Sequence, residues 1–324
     1  MLKMYAALKN NPGEIVKAAA RHRLINFARY MQPDLALEPF HVVYYTLLDK
    51  FAHGEIKKMI VQMPPQHGKS EGSSRKLPAF MLGLNPDTKI CIGSYAATIA
   101  RDFNRDVQRI IDTPKYREIF PKTFLNGSNV VTMANTYLRN SDVIEMVGHK
   151  GSLRVVGRGG ALTSKTVDVM IMDDVYKDYS EGNSPIVRNA AWKWYTTVVK
   201  KRLHNKSQEL IVFTRWHEED LIGKIEKGGE KIIDIKSWDS IKNIPDGAWV
   251  RINFEALKTG EPNEIDPREP GAALWESMHS RAKLERERAL DPIQFQCLDQ
   301  GNPGSAEGRL YRNPFRTYVD KSEW

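Results

Sequence analysis

The chain has 324 residues, 41% of them hydrophobic, enough for one large core or for one core plus a small subdomain. No apolar run nears the roughly 18 residues that cross a bilayer. The start Met1-Leu2-Lys3-Met4-Tyr5 has no long apolar signal region, and Cys91 and Cys297 lack metal-type spacing, which argues against a membrane, secreted or zinc-stapled protein. The excess of 48 basic over 40 acidic residues suits a nucleic-acid partner without requiring one.

Helical spacing runs over 14–31, and a second helix is predicted from about Pro39 to Phe51. A strand at 57–63, with the apolar stretch Met59-Ile60-Val61-Gln62-Met63, then meets Pro64-Pro65-Gln66-His67-Gly68-Lys69-Ser70. A buried strand, a tight loop ending in Gly-Lys-Ser and a helix near 69–82 make a phosphate cradle, because loop N–H groups and a helix N-terminus converge on an anion. Gly68 permits close backbone approach, Lys69 reaches the β- and γ-phosphates, and the Ser70 hydroxyl can ligate Mg²⁺. Met63 stands where the full pattern has its first glycine, so this loop alone is equally a surface turn.

Further along, Lys89–Tyr95 reads as a strand, and a helix from about Ala97 to Ile111 carries Arg101, Arg105 and Arg109 on one face. Short strands follow, including 143–147 and 153–156, with His149, Lys150, Arg154 and Arg158 on a hairpin-like segment. In Val167–Asp174, the four apolar residues Val169-Met170-Ile171-Met172 then run straight into Asp173 and Asp174. A continuous apolar run is the mark of a buried parallel strand, and ligands gather at the carboxyl ends of such strands. Asp173 is placed to hold Mg²⁺ and Asp174 to orient or deprotonate an attacking water.

A helix over about 184–203 is rich in aromatics and ends in Lys200-Lys201-Arg202, near His204 and Lys206. Each basic cluster can grip phosphates without reading sequence, or can be a solvated face. The strand 208–213 ends in Thr214, whose hydroxyl either senses a γ-phosphate or caps a helix beginning near Glu218. The stretch 234–275 is broken by Pro and Gly but includes a strand at 249–254, and a charged helix near 277–290 follows. Strand–helix alternation predicts an α/β fold, a mainly parallel sheet with helices on both faces.

These motifs, in this order, resemble the large terminase subunits of tailed bacteriophages, the ATP-driven motors that package DNA. Pro64–Ser70 is similar to their Walker A loop, and Val156–Thr163 leading into Ile171–Asp178 to their Walker B region. Thr214–Leu221 is similar to their coupling motif, and Gln294–Cys297, Gln300–Pro303 and Glu307-Gly308 to the segment that closes their ATPase domain. The resemblance covers roughly residues 36–315. It implies a P-loop NTPase of the RecA/ASCE type with a small C-terminal helical or irregular subdomain. It also implies an N-terminal helical segment over 1–50, an ATPase core over 51–235 and a closing subdomain over 236–324.

Nucleotide contacts then fall to Pro65, Gln66, His67, Gly68, Lys69, Ser70 and Thr214, and the metal to Ser70 and Asp173. Asp174 stands where most of the family has Glu. No arginine lies within the loop, so Arg158 and Lys165 are candidates for the charge-stabilising cation, acting on a neighbouring subunit's nucleotide, although either one taken singly is more readily an exposed basic residue. His41 replaces the glutamine that usually reads adenine, or is an ordinary capping histidine. ATP and Mg²⁺, double-stranded DNA, a portal protein, a small terminase subunit and a ring of identical subunits in the host cytoplasm are implied, although the domain alone can be monomeric. The family's nuclease domain is absent, so the expectation is a truncated motor domain that does not cut DNA. Two rivals remain: a helicase-like DNA-dependent ATPase, and a nucleotide-regulated scaffolding module without turnover.

Overall fold

The computed structural model describes residues 12–131, 136–162 and 166–304. Its strands are β1 (Lys58–Gln62), β2 (Lys89–Ser94), β3 (Val143–Glu145), β4 (Ser152–Gly157), β5 (Val167–Asp173), β6 (Leu203–Val212), β7 (Ile232–Asp234) and β8 (Trp249–Asn253). They form one sheet in the order β3-β4-β2-β5-β6-β1-β8-β7. Every pairing is parallel except β3 with β4, the predicted hairpin. The sheet runs past residue 235, since β8 pairs directly with β1.

Side chains alternate across a strand, and both faces of this sheet are covered, which is why the central strands read as unbroken apolar runs. Met59, Val61, Ile90, Ile92, Val169, Ile171, Leu210 and Val250 enter one core. Ile60, Cys91, Met170, Met172, Ile211 and Trp249 enter the other, with Trp194, Tyr195 and Ile222. A third, small cluster of Ala256, Leu257, Ala273, Leu284 and Phe295 is the core of the C-terminal irregular subdomain.

The first core also takes in the N-terminal helices α1 (Pro12–His22), α2 (Leu24–Met31) and α3 (Pro39–Ala52). The single helix expected over 14–31 is broken at Arg23, whose backbone is extended. Asp49 accounts for the break. Its carboxylate accepts the Leu24 N–H at 2.7 Å and pairs with Arg23 at 2.9 Å, restarting the helix one residue later. From α2, Phe27 then meets the rings of Phe80, Tyr116 and Phe120.

The helix after the phosphate loop opens with a wide π turn, Glu71–Lys76, before α4 (Leu77–Leu84). Helix α5 (Ala97–Ile111) has the predicted bounds, but its basic face is neutralised by Asp142, Asp102 and Asp106. The helix expected over 184–203 ends as an α-helix at Trp194, widens into a π turn over Tyr195–Val199 and tightens into a 3-10 turn over Lys200–Arg202, so that β6 begins at Leu203. Among the described residues, no helix is long and apolar enough to cross a membrane.

Candidate functional site

Three strands deliver the site. With β6 inserted between β1 and β5, the register sets Val212 beside both Val61 and Asp173. The phosphate loop, the segment after β6 and the paired aspartates therefore leave the sheet at one edge, the carboxyl end where α/β proteins bind ligands. Within the loop the backbone turns through left-handed conformations at Gln66 (φ 59°) and Gly68 (φ 80°). A side chain at Gly68 would be strained by that φ and would press its Cβ to 3.2 Å from the His41 ring.

At this edge, the Lys69 ammonium lies 2.9 Å from Asp174 Oδ2 and donates to the Thr214 hydroxyl at 2.6 Å. The Ser70 hydroxyl donates to Asp173 Oδ1 at 3.0 Å. Ser74 donates to the other Asp173 oxygen, and Ser73 donates to the Lys69 carbonyl at 2.9 Å. Burial, and then the neighbouring Asp174, raise the Asp173 carboxyl above its usual range, opposed by Lys69 and the two serines. Asp174 has φ 44°, a left-handed geometry that Asp tolerates better than most residues. Its carboxylate also accepts the Thr214 N–H at 3.2 Å.

The residue types fit a hard cation. A serine hydroxyl and a carboxylate 3.0 Å apart are the oxygen donors Mg²⁺ prefers, and it usually takes its other ligands from water and phosphate. Among the described residues, no group of three or more His, Cys, Asp and Glu could hold a metal by itself.

Thr214 does not cap a helix. The next helix, Leu221–Lys227, is capped by Asp220, whose side chain accepts the Gly223 N–H at 3.1 Å. His41 is buried under the loop with both ring nitrogens engaged: Nδ1 accepts the Glu38 N–H at 3.0 Å, which leaves Nε2–H to donate to the His67 carbonyl at 3.2 Å. Of the two expectations for His41, the capping histidine is the one this geometry matches, and no ring nitrogen is left to read a base. His67 in turn donates from Nδ1 to the Pro65 carbonyl at 2.8 Å and stacks on His279 with ring centroids 4.5 Å apart.

Arg158, a candidate for the charge-stabilising cation or else an exposed basic residue, is engaged within the chain. It donates to the Val175 carbonyl at 2.7 Å and to both Glu181 oxygens at 2.8 and 3.1 Å. Lys165 and Glu307-Gly308 lie outside the described residues. The basic clusters are partly spent on pairs of their own. Lys200 meets Glu209, His204 meets Asp168, Arg154 meets Glu145 and His149 meets Asp87, while Lys201 and Lys206 are exposed.

Several residues of the edge escaped the sequence reading. Tyr44 donates its hydroxyl to the Lys69 carbonyl at 2.6 Å, and nothing in the pattern of its helix marks it. Ser73 and Ser74 were findable, since they follow Ser70 at the three- and four-residue spacing that shares a helix face. Gln62, the last residue of β1, donates to the Gly301 carbonyl at 2.7 Å, and Asn253 donates to the Gln300 carbonyl at 2.9 Å. Those bonds bring the closing segment against the strands beneath the loop.

The family profile described as "Terminase large subunit, T4likevirus-type, N-terminal" matches residues 60–312. The chain belongs to the terminase large subunit family. Among solved structures, it is similar to the large terminase of bacteriophage HK97, with a TM-score of 0.51 and 14% identity, covering 87% of this chain. The chain spans 55% of that protein's length. It is also similar to a mutant ATPase domain of the Thermus phage P74-26 large terminase, with a TM-score of 0.51 and 15% identity over 84% of this chain and 96% of that one. At such identities the likeness establishes the fold alone. No curated protein matches the chain.

The loop has a pH signature. Burial pushes the His67 imidazole down to about 4, so the folded chain keeps it neutral. Protonation therefore favours unfolding. The contribution of His67 is complete above its ordinary 6.5 and is lost as the pH falls from there toward about 4. At pH 5 the expected loss is about 2 kcal/mol. Urea midpoints at pH 7 and pH 5 check this. His67→Asn keeps a donor for Pro65 but cannot titrate, and should show a smaller drop; an equal drop would place the titration elsewhere.

Proposed function

We propose that this terminase chain is an ATPase motor domain, hydrolysing Mg·ATP to drive double-stranded DNA into a viral procapsid. The observation that carries this reading is the meeting of Lys69, Ser70, Asp173, Asp174 and Thr214 at one sheet edge, from three separate stretches of sequence. Backbone N–H groups from Gln66 to Ser70 would cradle the phosphates, with Pro65 shaping the turn before them and Lys69 countering their charge. Ser70 and Asp173 would hold Mg²⁺, which when bound neutralises charge on the phosphate oxygens. Asp174 would orient the attacking water and accept its proton, and Thr214 would respond to loss of the terminal phosphate. Catalysis of this kind is positioning and charge neutralisation, with little covalent work for the protein.

In the same reading, residues 1–50 brace the nucleotide edge, 51–235 form the ATPase core and 236–324 close it. Double-stranded DNA, a portal protein, a small terminase subunit and further copies of this chain are the partners, in the host cytoplasm. Exposed Lys201 and Lys206 suit sequence-independent phosphate contacts. Phosphate release from the purified chain, with and without linear duplex DNA, tests the proposal. The expected result is ATP turnover that DNA stimulates. Nucleotide binding without turnover would instead make the chain a regulated scaffold, and duplex unwinding would make it a helicase.

A further inference from the structure

The turn that follows the paired aspartates is held from outside its own strand. Arg158 leaves the end of β4 with its N–H on the Ser94 carbonyl at 2.7 Å. Its guanidinium then reaches across to the Val175 carbonyl, one residue past Asp174, and forks onto both Glu181 oxygens. Glu181 Oε2 also accepts the Lys177 N–H at 2.9 Å, while the Glu181 N–H donates to Asp178 Oδ1 at 3.1 Å. Residues 175–181 are thus tied into one knot, with Arg158 at its centre. Two-point pairing of guanidinium with carboxylate is among the stronger and more directional side-chain contacts.

The residue beside that knot needs such support. A non-glycine residue in left-handed geometry costs of order 1–3 kcal/mol and persists only where its surroundings over-determine it. For Asp174, at φ 44°, β2 and β6 supply part of that constraint. Its carbonyl accepts the Tyr95 N–H at 2.8 Å, and its N–H donates to the Val212 carbonyl at 3.1 Å. Arg158 adds to it by holding the Val175–Tyr176 peptide, the second one past Asp174. A guanidinium committed to three hydrogen bonds and 15% exposed is built as a strut.

We propose that Arg158 is a positioning residue for Asp174 within its own subunit, and that Glu181 is the partner through which it acts. This inference rests on the reading of Asp174 as the group that orients the attacking water. Displacing a reacting group by about 1 Å can cost a hundredfold in rate. Arg158→Ala and Glu181→Ala should therefore each lower kcat by about ten- to a hundredfold while KM for ATP stays within about twofold. Because the two act as one unit, the double variant should be little worse than either single one. Arg158→Lys, which keeps a donor for the Val175 carbonyl, should recover part of the loss.

Hydrogen exchange gives a second readout that does not need turnover. In both alanine variants the Lys177 amide should exchange faster, with the central strand β1 unchanged. Glu181→Ala turning over like the wild type while Arg158→Ala is inactive would overturn the proposal and assign Arg158 to a nucleotide on another molecule. Unchanged exchange at Lys177 would also overturn it. A wild-type chain with no more phosphate release than Lys69→Ala would instead defeat the ATPase reading, with the exchange result still deciding what Arg158 holds in place.

Discussion

Lys69→Ala should abolish phosphate release, by at least about a hundredfold at saturating ATP, since removing one preorganised charge from a transition state typically costs that much or more. The Lys69 ammonium is 10% exposed and is the cation set between Asp174 and Thr214. On the proposed reading it would face the phosphate oxygens on which negative charge develops, and alanine would offer them nothing. It also counters Asp173, so in the folded variant that carboxyl should take up a proton at higher pH than in the wild type. Steady-state phosphate release beside a circular-dichroism melt separates the two effects. Near-native turnover in a folded variant would move the nucleotide away from this edge.

The largest effect on stability is expected from Asp220→Ala. Arg215 and Asp220 form a buried pair, Nε to Oδ2 at 2.7 Å, with side chains 5% and 0% exposed. Asp220 also accepts the Trp216 N–H at 3.3 Å and caps the helix Leu221–Lys227 through the Gly223 N–H. Removing it strands a buried guanidinium, which costs about 3–5 kcal/mol, and loses a cap worth about 1 kcal/mol. Asp220→Asn keeps a cap acceptor but not the charge, and should fall between wild type and alanine. Urea unfolding measures both. An unshifted midpoint for Asp220→Ala would mean that Arg215 finds another partner or reaches water. Because this pair shapes the turn directly after Thr214, turnover should fall in step with stability.

What the sequence made legible followed from strong local signals. The apolar runs ending in Gly-Lys-Ser, in Asp-Asp and in Thr214 located three strands and the edge they share, because a strand buried on both faces leaves an unbroken pattern. Helix α5 was readable to the residue from its periodicity. The misreadings were tertiary in origin. Nothing near Arg23 announces a break, since the carboxylate that causes it is at Asp49. The early start of β6 is set by pairing with β5, where Leu203 sits opposite Val167 across an irregular register.

The site divides the same way. Lys69, Ser70, Asp173 and Asp174 carry chemistry that their spacing announces. Tyr44 and His41 brace the loop by contacts that exist only after α3 has packed against it. For Arg158, sequence offered a positive charge near the right motif, whereas its neighbours decide what the charge is for.

The bond from Gln62 to Gly301 spans 239 positions of the chain. During synthesis, the strand that feeds the phosphate loop emerges early, yet one of its anchors is translated near the end of the described sequence. A nascent chain paused before that point would have its Gly-Lys-Ser turn without the clasp beneath it. Complete assembly of this edge therefore waits until residues near position 301 have been made, long after the Gly-Lys-Ser turn itself.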